Sequence, residues 1–346
     1  MHFHDVHFGA GGIRGYYTAT VYSKMVKDGI GPAGEISGAS VGAIIAACTC
    51  SQTDKGIPDA ISVLRNSNFV PHQNVCQKGY NAWSAFTGRQ PAYASNKHLV
   101  HAIENAIGRN ATVQVPRFSI GVTDANTLQQ VRLTKHQGDK IDAREVAASC
   151  SIPFVFPPVR IHNNVYIDGG IQRSFVRESV INSLQNSTTK YVLLFGCSPW
   201  SGHFKFAHAP TYDATSILMR VGRKRWYENI GECTLEYLSI VRAKLPPDNV
   251  GRFIVLHNTN TQKSTVITSF DNACADAKNY DKVLICVAPT PDEFARFMDA
   301  SIADSPRQRA KTMGYMHKCA VQATDEINTL MRRCGVTSLA SALDFT

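Results

Sequence analysis

The sequence predicts an α/β fold with a parallel sheet, in one domain that ends in a helical tail. Three observations predict it. The first 50 residues read strand, glycine loop, helix, strand, tight turn, helix; the same alternation returns toward the end of the chain; and 44% of the 346 residues are apolar, enough for a full core. With 18% charged residues and no low-complexity run, the composition excludes a disordered chain. The longest apolar run, Val41 to Cys48, is far short of the ~20 residues a bilayer span requires.

The elements follow in order. Phe3 to Phe8 reads as a short strand, and Gly9-Ala10-Gly11-Gly12-Ile13-Arg14-Gly15 as a glycine-rich turn. A helix from Tyr16 to Lys27 puts Tyr17, Val21 and Met25 on one face and stops at Gly29. Glu35-Ile36-Ser37 is a brief strand, Gly38 to Gly42 a sharp turn, and an apolar helix starts at Val41. Asn96 to Ile107 is an amphipathic helix with Leu99, Val100, Ile103 and Ile107 inward. Phe118 to Thr123 and Gln129 to Thr134 are strands joined by a turn-rich Asp124-Ala125-Asn126-Thr127 link. Asp142 to Ser149 is a short helix ending before Pro153. Val159–Ile161 and Val165–Ile167 flank an Asn163-Asn164 turn, and the second of them runs into Asp168-Gly169-Gly170. Lys190 to Gly196, Phe253 to His257, Thr265 to Thr268 and Lys282 to Ala288 are further strands. Helical patterns cover Ser216 to Ala243 and Asp292 to Cys334, the latter interrupted at Pro306. Pro246-Pro247 is the best candidate boundary, but strands on both sides argue against a linker. The expected division is a main α/β domain over 1–290 and a helical segment over 291–346 packed on it.

Thirty-six basic against 27 acidic side chains give a charge of +9, which suits an anionic partner such as a phospholipid surface or a nucleic acid. No basic, apolar leader opens the sequence, so cytoplasmic residence is expected and the ten cysteines read as reduced thiols. No C-x-x-C occurs, and a structural zinc site has little support.

Gly38-x-Ser40-x-Gly42 is a nucleophile-elbow pattern: a serine between strand and helix sits on a cramped backbone, and glycines two positions either side relieve the clash. The helix N-terminus favours negative charge developing there. The alternative is a small-residue packing turn, but the strand before and the apolar helix after fit the elbow. In the loop from Gly9 to Gly15, N–H groups can point at an anion. It reads as an oxyanion hole, as a dinucleotide fingerprint with Glu35 meeting the ribose, or as a bare turn. Arg14 at the third-glycine position fits the dinucleotide reading badly.

Only 39 residues precede Ser40, so glycine loop and elbow belong to consecutive βα turns at one end of the sheet, unlike the common α/β-hydrolase layout. The chain resembles the patatin-like phospholipase family on three motifs in order. These are Ala10-Gly11-Gly12-Ile13-Arg14-Gly15, Ile36-Ser37-Gly38-Ala39-Ser40-Val41-Gly42-Ala43, and Asp168-Gly169-Gly170, the last corresponding to the family's Asp-Gly-Gly or Asp-Gly-Ala turn. The approach through Ala148-Ser149-Cys150-Ser151-Ile152-Pro153 and Phe156-Pro157-Pro158-Val159 is also in the family's style, and the resemblance covers roughly residues 3–200. There are departures. Ala10 stands where the family has the loop's first glycine, and Ser174 and Val176 stand where it has Asn and Pro; Ser174 can still cap the following helix.

The resemblance implies a three-layer α/β/α sandwich around a mainly parallel sheet, acting as a lipid acyl hydrolase of phospholipase A type. Ser40 would be the nucleophile and Asp168 its general base, with N–H groups of Gly11, Gly12 and Ile13 as oxyanion hole and an acyl-enzyme intermediate. Gly15, Gly38, Gly42, Gly169 and Gly170 would shape the turns, with no metal or cofactor required. Arg14 reads as a brace for the loop in preference to a phosphate-facing cation. The rivals are a general carboxylesterase or acyltransferase on the same dyad, a non-enzymatic lipid-binding or storage protein, and, most distantly, a dinucleotide-dependent oxidoreductase.

Two weaker signals remain. His2, His4 and His7 read as solvent-facing histidines at a strand end, since His7 opposes the other two and three cannot readily meet one metal. Arg220, Arg223, Lys224 and Arg225 run into Trp226 and Tyr227, a combination that suits a membrane surface or a plain solvated helix face. No recognition motif accompanies it, so nucleic acid is not expected. His203, His208 and His257 have no spacing that recommends a triad role.

Overall fold

The computed structural model describes residues 3–29, 33–51, 95–153, 155–200, 251–261, 263–268, 280–302 and 306–336. The expected 216–243 helix, the Pro246-Pro247 boundary, the Arg220 to Tyr227 cluster, His2, His203 and His208 lie outside these residues. The fold is α/β, a mixed sheet with mostly parallel central strands flanked by helices. Two compact units emerge. One comprises Met1–Val6, Tyr16–Ala33 and Ile181–Thr346, the other His7–Gly15 and Gly34–Val180. Strand β1 (Phe3–Phe8) contributes to both.

The unit that holds the three glycine-rich motifs is assembled around β3 (Arg117–Asp124), whose residues from Phe118 onward are all buried, as a strand covered on both faces must be. It pairs in parallel with β2 (Ala33–Ala39), Ala39 opposite Gly121. On its other edge β3 pairs antiparallel with β4 (Gln130–His136), while beyond the end of β2 its last two residues pair antiparallel with β6 (Asn164–Ile167), Thr123 opposite Ile167. A three-residue strand, β5 (Val159–Ile161), completes the β6 hairpin. This register brings the ends of β2 and β6, and therefore residues 40 and 168, to the same end of β3.

After β2 comes α2 (Val41–Ser51), apolar all round and buried at every residue but Thr49. Helix α3 (Asn96–Ile107) is amphipathic, capped by the Ser95 hydroxyl and closed by Gly108 at φ 88°; Leu99, Ile103, Ala106 and Ile107 form its buried stripe. Helix α4 (Ala143–Ser149) is capped by Asp142, which accepts the Arg144 N–H.

The other unit contains α1 (Gly15–Lys27) and strands β7 (Thr189–Phe195), β8 (Arg252–Asn258), β9 (Lys263–Thr268) and β10 (Lys282–Val287) in the order β7-β10-β8-β9. Only β7 and β10 run parallel. Helix α5 (Arg177–Gln185) leads into β7, and α6 (Pro291–Ile302) and α7 (Pro306–Arg333) form the helical end, the second starting at the expected proline. Tyr17 of α1 stacks 5.5 Å from Phe297 and donates to the Ala288 carbonyl. The buried Arg252 guanidinium forms a two-pronged pair with Glu293, at 2.7 and 3.0 Å. Among the described residues no helix is long and apolar enough to cross a membrane.

Lys282 takes the place of a helix cap. Its side chain is buried and its Nζ donates to the carbonyls of Ser183, Asn186 and Thr189, at and beyond the end of α5. Burial holds its pKa below the usual lysine value. Lys282→Met removes three hydrogen bonds to main-chain carbonyls, of which that of Asn186 keeps a further donor, the Thr189 N–H, so the urea midpoint should fall by an amount equivalent to about 2–3 kcal/mol.

One expectation is overturned. His4 and His7 are not solvent-facing: both are buried, His4 at 1% exposure and His7 at 0%. The His7 ring hydrogen-bonds the Ser37 hydroxyl at 2.7 Å. Burial drives their pKa values down, to about 4 for His4 and about 3 for His7, so both rings are neutral near pH 7. A neutral imidazole fills a strand position much as an aromatic does, which the alternation of His with apolar residues concealed.

Candidate active site

The turn between β2 and α2 is as tight as the sequence demands. Ser40 has φ 55°, a left-handed conformation that costs a residue with a side chain about 1–2 kcal/mol. A Cβ on Gly38 would lie 2.0 Å from the Gly42 carbonyl oxygen, and one on Gly42 would lie 2.3 Å from that of Phe8. Both flanking glycines are thus fixed by backbone, and the second places the start of the glycine loop against the first turn of α2. The Ser40 side chain is nearly covered, 5% exposed, and its Oγ donates to Asp168 Oδ2 at 2.7 Å.

Asp168 follows directly on β6. Its Oδ1 accepts the Gly170 N–H at 2.7 Å, its N–H reaches the Ser151 carbonyl at 3.0 Å, and its carbonyl accepts the Thr123 hydroxyl at 2.9 Å. Burial raises its pKa from the ordinary carboxylate value to about 7, against the opposing effect of the hydrogen bonds from Ser40 and Gly170. A Cβ on Gly169 would meet the Gly121 oxygen at 1.9 Å, and one on Gly170 the Ala10 methyl at 2.4 Å.

The glycine loop passes through Gly11 into a 3-10 turn, Gly12–Arg14, in which Gly12 has φ 58° and is exposed. The leading N–H groups of such a turn, here those of Gly11, Gly12 and Ile13, have no acceptor within the turn itself. Arg14 is buried and its Nε donates to the Gly11 carbonyl at 2.8 Å, a brace on the loop. Gly15 starts α1, with no room for a Cβ beside Val41. The Ala10 N–H donates to the Ser174 carbonyl at 2.8 Å, tying the loop to the segment after Asp168.

The residues expected to form the dyad, the oxyanion loop and the supporting glycine turns therefore lie in one unit, and Ser40 meets Asp168 across 128 positions. Several neighbours carry no role in the sequence reading. Ser149, Cys150 and Ser151, quoted there only as the approach to the aspartate, hydrogen-bond Ser40 or Asp168 through side chain or main chain; a polar, small-residue stretch at the end of α4 is the available signal. Gln130 clasps the exit from the Asp168 turn: Nε2 donates to the Phe175 carbonyl at 2.9 Å and Oε1 accepts the Arg177 N–H at 3.0 Å. That amide, rather than Ser174, serves the N-terminus of α5; among the described contacts Ser174 acts through its carbonyl.

Ser40 and Asp168 thus meet just beyond the carboxyl ends of β2 and β6, and in α/β folds ligands commonly bind outside the carboxyl ends of the strands. A family model described as Patatin-like phospholipase matches residues 6–181, half of the chain. The chain belongs to the patatin-like phospholipase family, a family of hydrolases acting on lipid esters. Among solved structures it is similar to VipD from Legionella pneumophila, at 14% identity and a TM-score of 0.41, over 94% of this chain and 67% of that one. No match is found among curated proteins.

Proposed function

We propose that the protein is a serine hydrolase of phospholipase A type, cleaving fatty-acyl esters through a Ser40–Asp168 dyad. The observation that carries this reading is the buried 2.7 Å hydrogen bond from Ser40 Oγ to Asp168 Oδ2 at a strained strand–helix elbow. Asp168 takes the hydroxyl proton as Ser40 Oγ attacks the ester carbonyl, and the N–H groups of Gly11, Gly12 and Ile13 hold the oxyanion. The Ser40 N–H is already donated to Ser149, which leaves this task to the loop. The tetrahedral intermediate collapses to acyl-Ser40, and the leaving alcohol takes the proton from Asp168. Water, deprotonated by the same carboxylate, then releases the fatty acid and restores the dyad.

A carboxylate is ordinarily a weak base near neutrality; burial that lifts Asp168 to about 7 brings it close to the range where imidazole works. Ile13 in the glycine loop, Ile152 next to Ser151 and Ile171 three residues after Asp168 are half-buried and suit an apolar acyl chain. The net charge of +9 supports peripheral contact with an anionic lipid surface.

The test is a long-chain fluorophosphonate probe, with the adduct mapped by mass spectrometry, alongside fatty-acid release from phosphatidylcholine and phosphatidylglycerol vesicles. The expected result is a single adduct on the peptide containing Ser40 and release from vesicles in preference to turnover of a short soluble ester. An adduct on another residue, or none, overturns the dyad; turnover confined to short esters overturns the lipid substrate.

A further inference from the structure

A serine at φ 55° relaxes toward negative φ unless its peptide groups are held, and such a change would swing Oγ away from Asp168. In this protein both sides of the residue are gripped by consecutive residues at the end of α4. Ser149 Oγ accepts the Ser40 N–H at 2.8 Å and donates its own proton to the Gly121 carbonyl at 2.6 Å, which leaves its lone pair facing Ser40. The Cys150 thiol donates to the Ser40 carbonyl at 3.0 Å, an oxygen that also accepts the Ala43 N–H. Gly121 in turn lies opposite Ala39 in the β2–β3 register, so the grip is referred to the sheet. The next residue, Ser151, accepts the Asp168 N–H through its carbonyl, so one turn contacts both partners of the dyad. Ser149 is fully buried and Cys150 nearly so.

We propose that Ser149 and Cys150 are positioning residues that lock the Ser40 backbone in its left-handed conformation and keep its hydroxyl on Asp168. The inference rests on the reading of Ser40 as nucleophile. It differs from a packing role in a measurable way, because loss of the grip frees the Ser40 hydroxyl, and the hydrogen bond that this hydroxyl donates is one of the two that hold the Asp168 pKa down. The titratable group that feels the Asp168 charge is Cys150, and burial keeps its thiol protonated.

The experiment compares Ser149→Ala, Cys150→Ala and Cys150→Ser with the wild-type protein in three measurements: fluorophosphonate labelling rate, steady-state hydrolysis of an acyl ester, and the pH profile of kcat/KM, each per folded molecule as counted by near-ultraviolet circular dichroism. Ser149→Ala should lower labelling rate and kcat by about 10- to 100-fold, the usual consequence of an ångström-scale misplacement, with KM within twofold. Its acid limb should move to higher pH. Cys150→Ala should lose several-fold, and Cys150→Ser, which keeps a donor, should recover at least half of that loss. Folded Ser149→Ala that is labelled at the wild-type rate, or whose acid limb is unmoved, overturns the proposal. If Ser149→Ala does not fold, the cysteine pair decides, and equal rates for Cys150→Ala and wild type overturn it. Failure to label the wild-type protein at Ser40 overturns the nucleophile reading and this inference together, whereas labelled wild type with equally labelled Ser149→Ala overturns this inference alone.

Discussion

Ser40→Ala should leave no measurable ester hydrolysis, and Asp168→Asn should lower kcat/KM by about 10³-fold or more, both with the fold retained. Alanine has no oxygen to acylate, and asparagine keeps the shape of Asp168 and an acceptor for the Gly170 N–H but cannot take a proton. The double variant should be no worse than Ser40→Ala alone, because the two groups act as one unit. In the wild-type protein kcat/KM should rise with pH and level off above about 7, since the working form of Asp168 is ionised and its pKa lies there. The effect on stability has the opposite sign. The native carboxyl holds its proton to about pH 7, whereas in the unfolded chain it releases it near 3.8. Between those values the native state binds more protons, so the stabilisation present at low pH is lost as pH rises through the folded pKa. Asp168→Asn does not titrate, and its melting temperature relative to wild type should therefore increase from pH 4 to pH 8. A melting difference that stays flat across that interval would mean that the carboxyl is not buried as described.

Gly38→Ala should be the most damaging single-methyl substitution at the elbow. The added carbon would stand 2.0 Å from the Gly42 oxygen, 2.2 Å from the Gly42 carbonyl carbon and 2.6 Å from the Ala43 nitrogen. All three are backbone atoms of the first turn of α2, so no rotamer change relieves the overlap, and either β2 or α2 must shift. A loss of about 3 kcal/mol or more is expected, enough to deplete the folded protein in a marginally stable domain. Gly12→Ala provides the contrast. No atom lies within 4 Å of its added methyl, and only the left-handed backbone at φ 58° opposes it, a cost of about 1–2 kcal/mol. Urea unfolding of the two variants side by side separates steric overlap from backbone strain; equal midpoints would contradict the geometry of the elbow.

Local rules were sufficient for much of this architecture. The α3 helix was legible from its spacing of apolar residues, and Ser40 from the glycines around it, because in each case neighbours in sequence are also the deciding neighbours in space. β2 was read as three residues and extends over Ala33–Ala39. Its Gly38-Ala39 end lacks strand propensity and is held by its parallel partner β3, a tertiary effect with no local trace. The burial of His4 and His7 is of the same kind. For the site, glycine spacing exposed the turns but not what braces them. Ser149 and Gln130 act on segments 109 and 45 residues away, and nothing in a serine or glutamine considered by itself announces that its amide or hydroxyl will be spent on distant backbone.

Ala10 and Gly170 share a space large enough for one methyl group. The Ala10 side chain already occupies it, 2.4 Å from where a second would fall. The head of the glycine loop is consequently coupled to the residue two after the aspartate: while alanine stands at 10, a methyl at 170 forces one of the two segments to shift, and a second limit stands behind it in Asp168 Oδ1, 3.0 Å away. Two segments 160 positions apart thus answer to one shared volume.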